Sequence, residues 1–253
     1  MEQSRYRTAQ RPPGAESFRL IETMRFEPGR GVRHADRHAA RLARSARHFG
    51  FPFFEDAFHA EVQTATAPLR EGSEAPHRRS RPSHDEENPR RRHKRPSSEM
   101  PSTVRLMLGA EGDLQSEETP LDEAERDDPL QMTMAEARAD SADPFFRHKT
   151  TWRRVYRRAF EAAHERGADE ALLLNERGEV TEGARANIFM EKNGAFYTPP
   201  VRCGLLPGVG RGVWLDEAGA EERVLRPADL RSADALWLVS ALRGRRRAVM
   251  RDA

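Results

Sequence analysis

The stretch ALLLNERGEVTEGARANIFMEKNGAFYTPP, residues 171 to 200, constrains the fold more than any other part of this chain. Its apolar runs ALLLN, VTEG, ANIFMEK and AFYTPP are separated by the turn signals ERGE and NG, too closely spaced to leave room for helices. That rhythm predicts an antiparallel meander, so the second half of the chain is built round a sheet. Near the other end, FRLIETMRF alternates, with Phe18, Leu20, Met24 and Phe26 on one face and Ile21, Thr23 and Arg25 on the other. The period then changes. In HADRHAARLARSARHFG, Ala39, Leu42, Ala43, Ala46 and Phe49 recur at helical spacing, with Asp36 as the predicted N-cap and Gly50 as the stop.

A second helix is predicted from Glu55 to about Leu69. STVRLML and LQSEE, joined by GAEGD, predict a hairpin returning to the first sheet, and LQMTMAEA is expected to close that N-terminal unit. ADSADP has linker character. Beyond it come a helix over 152–166 carrying Val155, Tyr156, Ala159, Phe160 and Ala163 on one side, the meander, and a helix starting at Pro207 or Gly208. A short helix ADLRSA and the strand ALWLVS finish the chain. The fold class is therefore α+β: a polar leader 1–15, a small N-terminal unit 16–138, a linker 139–145 and a larger unit 146–253 rich in antiparallel strands. Residues 71–101 interrupt the small unit with Pro, Ser, Arg and Glu and almost no apolar side chains, which predicts a mobile insertion.

Charge argues against some functions. The 43 basic residues face 41 acidic ones, for a net charge of +2, so nucleic-acid binding finds little support. The tract from Pro89 to Pro96 is basic, but it has Asp85, Glu86 and Glu87 beside it and no aromatic side chains for stacking. With a single cysteine, Cys203, the chain has no internal disulfide and no cysteine-based zinc cluster. It also lacks a long apolar run and a hydrophobic N-terminal region behind positive charge. A cytoplasmic protein without membrane or metal partners is expected, with Cys203 packed in its loop.

Only three of the basic residues are lysines, Lys94, Lys149 and Lys192. Lys149 lies among Arg147, Arg153, Arg154, Arg157 and Arg158. A guanidinium does not lose its proton, whereas a lysine amine can be tuned to do so and to condense with an aldehyde, so a lone lysine among arginines marks either a solvated helix entry or amine chemistry. Three further features bear on an anion or cofactor. LLPGVGRG feeds a helix start whose N–H groups suit a phosphate, although its glycine spacing matches no nucleotide-binding loop and a plain N-cap explains it equally well. VTEGARAN places Glu182 at a strand edge, as a partner for a cationic ring nitrogen or as a solvated turn residue. SALRG supplies Ser240, Ala241 and more backbone donors. In this order, amine, carboxylate, phosphate cup and hydroxyl-bearing turn are the groups that pyridoxal phosphate requires.

The segments HADRHAARLARSA, HKTT, LLLNERGEVTEGARANIF, YTPPVRCGLLPGVGR and LVSALRG together resemble the class IV, or fold type IV, pyridoxal-phosphate enzymes over roughly three-quarters of the chain. That group includes branched-chain aminotransferases, D-amino acid aminotransferases and 4-amino-4-deoxychorismate lyases. The resemblance implies the two-domain D-amino acid aminotransferase-like fold, pyridoxal 5'-phosphate as cofactor and a homodimer. It also implies that Lys149 bonds to the cofactor aldehyde and shuttles the proton, that Glu182 pairs with the ring nitrogen, and that Arg41 with the amides of Val209 and Gly210 holds the phosphate. Ser240 and Ala241 complete the cofactor site, and Asn187 has a structural role. Many relatives carry Thr where Gly210 stands, which implies one hydroxyl contact fewer and a weaker hold on the cofactor. HKTT with an arginine two residues on, NERGEVTEG and LRG are most similar to the lyase branch, although such relatives usually have Asn where Ser240 stands. The implied reaction is release of pyruvate to give 4-aminobenzoate for folate synthesis, beside an aminodeoxychorismate synthase, with Thr23 and Arg25 facing the substrate. A class IV transaminase acting on branched-chain or D-amino acids is the alternative.

Overall fold

The computed structural model describes residues 18–70, 100–121 and 128–251. The leader 1–15 and all of the insertion except Met100 and Pro101 lie outside these residues. The first unit contains β1 (Leu20–Glu27), β2 (Gly31–Val32), α1 (Ala35–Phe49), α2 (Glu55–Arg70), β3 (Ser102–Leu108) and β4 (Leu114–Pro120). Its four strands form an antiparallel sheet in the order β2-β1-β3-β4. Period-two alternation on β1 and β3 puts Leu20, Met24, Phe26, Val104, Leu106 and Leu108 on one face, where they pack with Leu42, Phe58 and Val62 of the two helices. Each such burial stabilises by about 1.5–3 kcal/mol. Asp36 sits inside the first turn of α1 rather than capping it, and His34 takes the N-cap position without a side-chain bond. Gly50 ends the helix as expected, in the left-handed region at φ 73°, its N–H donating to the Ala46 carbonyl.

The second unit holds β5 (Leu130–Ala139), α3 (Arg154–Glu165), β6 (Glu170–Asn175), β7 (Val180–Gly183), β8 (Asn187–Lys192), β9 (Ala195–Thr198), α4 (Val209–Ala218), β10 (Glu221–Glu222), α5 (Pro227–Arg231), β11 (Ala235–Ser240) and β12 (Gly244–Met250). Its eight strands are ordered β10-β9-β8-β11-β12-β5-β6-β7. Three sequence expectations need correction. The strand expected to close the small unit, β5, lies in the large sheet, parallel to both β6 and β12, so 139–145 does not separate the two sheets. The meander is broken, because β7 and β8 follow each other in sequence but stand apart in the strand order. Finally, ALWLVS does not end the fold: GRRRAVM returns beside it as β12.

The two units are stitched at the segment that carries Lys149. Thr150 forms a bridge with Leu20, the Ile21 N–H donates to the Lys149 carbonyl at 2.9 Å, and the Thr151 N–H donates to the Arg19 carbonyl at 2.9 Å. Phe145, just upstream, packs into the small unit's core against Phe18. The segment that carries this lysine is therefore held against β1 by one bridge and its flanking backbone bonds. Among the described residues, no helix is long and apolar enough to cross a membrane and no cluster of side chains has the make-up of a metal site.

Candidate active site

A cavity of about 340 Å³ opens between the two units, and Lys149 lies on its wall with Thr23, Arg41, Glu182, Gly210 and Ser240. That size suits a small organic ligand. The Lys149 amine is brought down to about 7, first by burial and then by Arg153 and Arg41, which together outweigh the opposing pull of Glu22. An amine so tuned has a substantial neutral fraction near neutral pH, which a nucleophile or base needs. Lys192 contrasts with it: its ammonium bonds the Ser232 carbonyl and pairs with Asp234 on the surface.

Glu182 is the penultimate residue of β7, with its side chain buried. Its Oε1 accepts from the Tyr156 hydroxyl at 2.5 Å and from the Leu206 N–H at 2.9 Å, and its Oε2 accepts from Asn187 Nδ2 at 2.9 Å. Burial nevertheless pushes the carboxyl up to about 7, the donors and the nearby Arg153 and Lys149 opposing that rise. Desolvation wins, so the group gains most from a further cationic partner in the cavity. Asn187 also donates to the Leu206 carbonyl at 2.9 Å, clamping the carboxylate to the loop before α4. Glycine at 208 is what lets that amide in, since a Cβ there would lie 2.1 Å from Asn187 Oδ1.

The anion end of the cavity combines α1, the start of α4 and the β11–β12 turn. The first N–H groups of α4, including those of Val209 and Gly210, have no acceptor within the helix, and the helix dipole adds positive potential there. Gly210 presses on the turn: a Cβ at this position would lie 2.6 Å from the Ser240 carbonyl carbon and 2.7 Å from the Ala241 nitrogen. Its glycine is thus needed for two backbones to close into one cup, a requirement that a comparison of side-chain hydroxyls does not reveal. Arg41, buried on α1, is aimed by Glu22 through Nε at 2.9 Å and Nη2 at 2.5 Å, which leaves Nη1 for an anion. His38 Nδ1 lies 2.5 Å from the same carboxylate, while its Nε2 is buried without a partner and the residue lines the cavity. Burial would raise the Glu22 carboxyl, but Arg41 and His38 override it and hold it at about 2.

The cavity thus gathers Thr23, Arg41, Lys149, Glu182, Val209, Gly210, Ser240 and Ala241, all singled out in the sequence. Arg25 is not on its wall; its Nε donates to Glu27 at 2.9 Å. The Ser240 hydroxyl accepts from the Arg243 N–H at 3.1 Å, bracing the turn. Cys203 is buried in its loop, and burial raises its thiol to about 11, which suits packing better than attack. Sequence reasoning missed Glu22, His38 and Tyr156 as members of the site. A signal existed for Glu22, a carboxylate on the otherwise apolar face of β1, whereas Tyr156 reads only as part of an apolar helix stripe.

The family model described as amino-transferase class IV matches residues 19–249. A Methanocaldococcus jannaschii protein provisionally named branched-chain-amino-acid aminotransferase is 43% identical over 81 residues, covering 30% of this chain and only 28% of the relative. Among solved structures, one from Mesorhizobium loti, provisionally named an amino-acid aminotransferase, is 34% identical, with a TM-score of 0.76 over 92% of this chain and 100% of that one. Another, from Legionella pneumophila, provisionally named 4-amino-4-deoxychorismate lyase, has a TM-score of 0.72 at 24% identity, covering 92% of this chain and 82% of that one. At that identity it supports the fold alone.

Proposed function

The chain belongs to the class IV aminotransferase family, whose cofactor is pyridoxal phosphate, and from that premise we propose that it is a 4-amino-4-deoxychorismate lyase releasing pyruvate and 4-aminobenzoate. The residues fit the cofactor. Lys149 supplies the amine, Glu182 a buried acceptor for a ring N–H, and Arg41 with the cup at Val209, Gly210, Ser240 and Ala241 a seat for its phosphate. When bound, pyridoxal phosphate supplies an aldehyde that takes the substrate amine and a ring that withdraws electrons from the carbon being deprotonated.

The observation that carries the lyase reading is the charge of the cavity wall. Among the described residues, Arg41, Lys149, Arg153, Arg185, Arg243 and Arg246 line it with the carboxylate of Glu182 and no Phe, Tyr or Trp side chain. A branched-chain amino acid gains most from an apolar wall, whereas a substrate with two carboxylates gains from this one. In the proposed reaction, Lys149 Nζ takes the proton from the ring carbon bearing the amine, the C–O bond to the enolpyruvyl group on the neighbouring ring carbon breaks, and Lys149 returns a proton to the methylene of the departing enolpyruvate, which leaves as pyruvate. Aromatisation of the ring drives the step, and atoms balance without an amino acceptor. The protein's part is to orient the ring, move that proton and exclude water.

The decisive assay incubates the purified holoenzyme with freshly generated aminodeoxychorismate and no amino acid or 2-oxo acid. Fluorescent 4-aminobenzoate is expected from the native protein and not from Lys149→Ala. If product appears only when a 2-oxo acid is added, or not at all, the lyase reading is lost. The second reading, a transaminase, is favoured by the aminotransferase names of the curated relatives, and a requirement for a 2-oxo acid acceptor is what distinguishes it.

A further inference from the structure

The start of α3 carries charge of the wrong sign for its own stability. An N-cap favours Ser, Thr, Asp or Asn, and the helix dipole favours acids in the first turn. Arg153 nevertheless stands at the N-cap, with no side-chain cap bond and no acidic residue in the first turn. Its side chain turns to the active site instead. Nη2 donates to the Ala184 carbonyl at 2.7 Å, the guanidinium lies 4.4 Å from the centre of the Tyr156 ring, and the residue lines the cavity with Lys149 and Glu182. Ala184 follows Glu182 by two positions, and the Tyr156 hydroxyl donates to Glu182 at 2.5 Å, so Arg153 is tied to that carboxylate's surroundings from two sides.

Arg41 offers a contrast. Its charge is met by Glu22 at 2.9 Å through Nε and 2.5 Å through Nη2, whereas that of Arg153 is met by a carbonyl and a ring face. The field of Arg153 is therefore left to act on the cavity. A cation there disfavours a proton on Lys149 and favours a bare carboxylate at Glu182. After burial, Arg153 is the strongest influence lowering Lys149, and it also opposes the rise of Glu182. The other charged or titratable groups that bear on the pair are Glu22, His38, Arg41 and Arg105 from the small unit and Tyr156, Arg185, Arg243 and Arg246 from the large one.

We infer that Arg153 is a positioning residue for the reaction: its guanidinium, fixed between Tyr156 and the β7–β8 turn, holds the Lys149 amine and the Glu182 carboxyl in their proton-free forms together. This rests on the roles proposed for Lys149 and Glu182 and applies to lyase and transaminase alike, since both need a neutral amine and an anionic ring partner. A third charge leaves a signature that packing does not copy. Burying the two groups lowers the lysine and raises the glutamate, and separating them does the same, so each change in packing moves them in opposite directions. A nearby charge moves both the same way.

The full-length protein, freed of cofactor, is titrated in native form and as Arg153→Gln, Arg153→Met and Arg153→Lys. Lys149 is followed by trace acetylation with acetic anhydride and peptide mass spectrometry, Glu182 by the carboxyl carbon NMR signal that Glu182→Gln removes. In Arg153→Gln both midpoints should rise above the native values of about 7, lowering the neutral fraction of Lys149 and the anionic fraction of Glu182 at neutral pH by about twofold. Arg153→Met keeps an unbranched stem against Tyr156 and should behave alike, and it decides the matter if the glutamine variant does not fold. Arg153→Lys, which keeps the charge, should bring both midpoints most of the way back. Midpoints that move in opposite directions make Arg153 a packing residue, and midpoints that stay in place show that its charge does not reach the pair; either result overturns the inference. Because turnover is not read, a protein that makes no 4-aminobenzoate would lose the lyase reading and keep this one.

Discussion

The ring-nitrogen role proposed for Glu182 requires an anion, and the Tyr156 hydroxyl is the group that most favours that anion. The tyrosine hydroxyl donates to Glu182 at 2.5 Å from within α3, buried, and its own ionisation is pushed well above the usual range by burial and by that carboxylate. It is therefore a fixed donor. Removing it in Tyr156→Phe leaves Glu182 with the Leu206 N–H and the Asn187 amide, and its pKa should climb above the present value of about 7. A larger share of Glu182 is then protonated at neutral pH and unable to accept a ring N–H. The expected result is a fall in kcat of about tenfold or more, the worth of a hydrogen bond to a charged group, with the acid limb of the pH–rate profile displaced upward. The profile is the diagnostic measurement, because a merely structural role for Tyr156 would lower activity without moving it. Here the sequence was only half legible. Lys149 and Glu182 stand out because their chemistry is rare in their surroundings, but Tyr156 looks like any apolar-stripe residue until α3 is folded over β5 and β6 and its hydroxyl reaches Glu182.

At the scale of elements, the start of α4 and the β11–β12 turn act as one unit because two glycine positions differ in what surrounds them. A Cβ at Gly210 would lie 2.6 Å from the Ser240 carbonyl carbon, whereas one at Gly212, on the same helix, would come no nearer than 3.6 Å to the end of the Arg37 side chain. Gly210→Ala must push helix and turn apart, at a cost of about 1–3 kcal/mol. Gly212→Ala should be neutral or gain up to about 1 kcal/mol from the better helix former. Thermal unfolding with and without pyridoxal phosphate separates them: Gly210→Ala is expected to lose both melting temperature and cofactor affinity, Gly212→Ala neither. A Gly210→Ala protein that binds cofactor as well as the native one would show that the cup does not depend on this approach. The same turn shows why elements differ in legibility. LLPGVGRG is readable as a helix start because glycine and proline act locally, but GRRRAVM, with three successive arginines, hides the alternation of β12. The membership of β5 in the large sheet depends on its parallel pairing with strands at 170–175 and 244–250, contacts that no local pattern encodes.

For the whole molecule, the seam between the two sheets concentrates groups whose protonation opposes folding in acid. His148, next to Lys149, stacks on His48 of α1 at 4.4 Å, and its Nδ1 lies 2.9 Å from Ser45 Oγ. Burial, then His48, Arg147 and Arg44, bring its pKa from 6.5 to about 4. As pH falls from 6.5 to 4, the unfolded chain takes up a proton at this position that the folded chain refuses, so stability declines across that window. Glu22, held at about 2 against 4.5 when free, adds a second decline between pH 4.5 and 2, where the unfolded chain again binds the extra proton. Both groups bear on the seam, His148 by joining the Lys149 segment to α1 and Glu22 by aiming Arg41 into the cavity. Glu182, raised from 4.5 to about 7 in the folded chain, takes up a proton on folding across much of the upper window and opposes the His148 decline, so the share of His148 is read as the difference between native protein and variant. His148→Phe keeps an aromatic ring against His48 and Phe49 but removes the titration, and should flatten the curve between pH 6.5 and 4 while leaving the steeper fall below 4.5 in place. If the variant's melting temperature tracks the native slope through the upper window, His148 is not the group that loosens the seam.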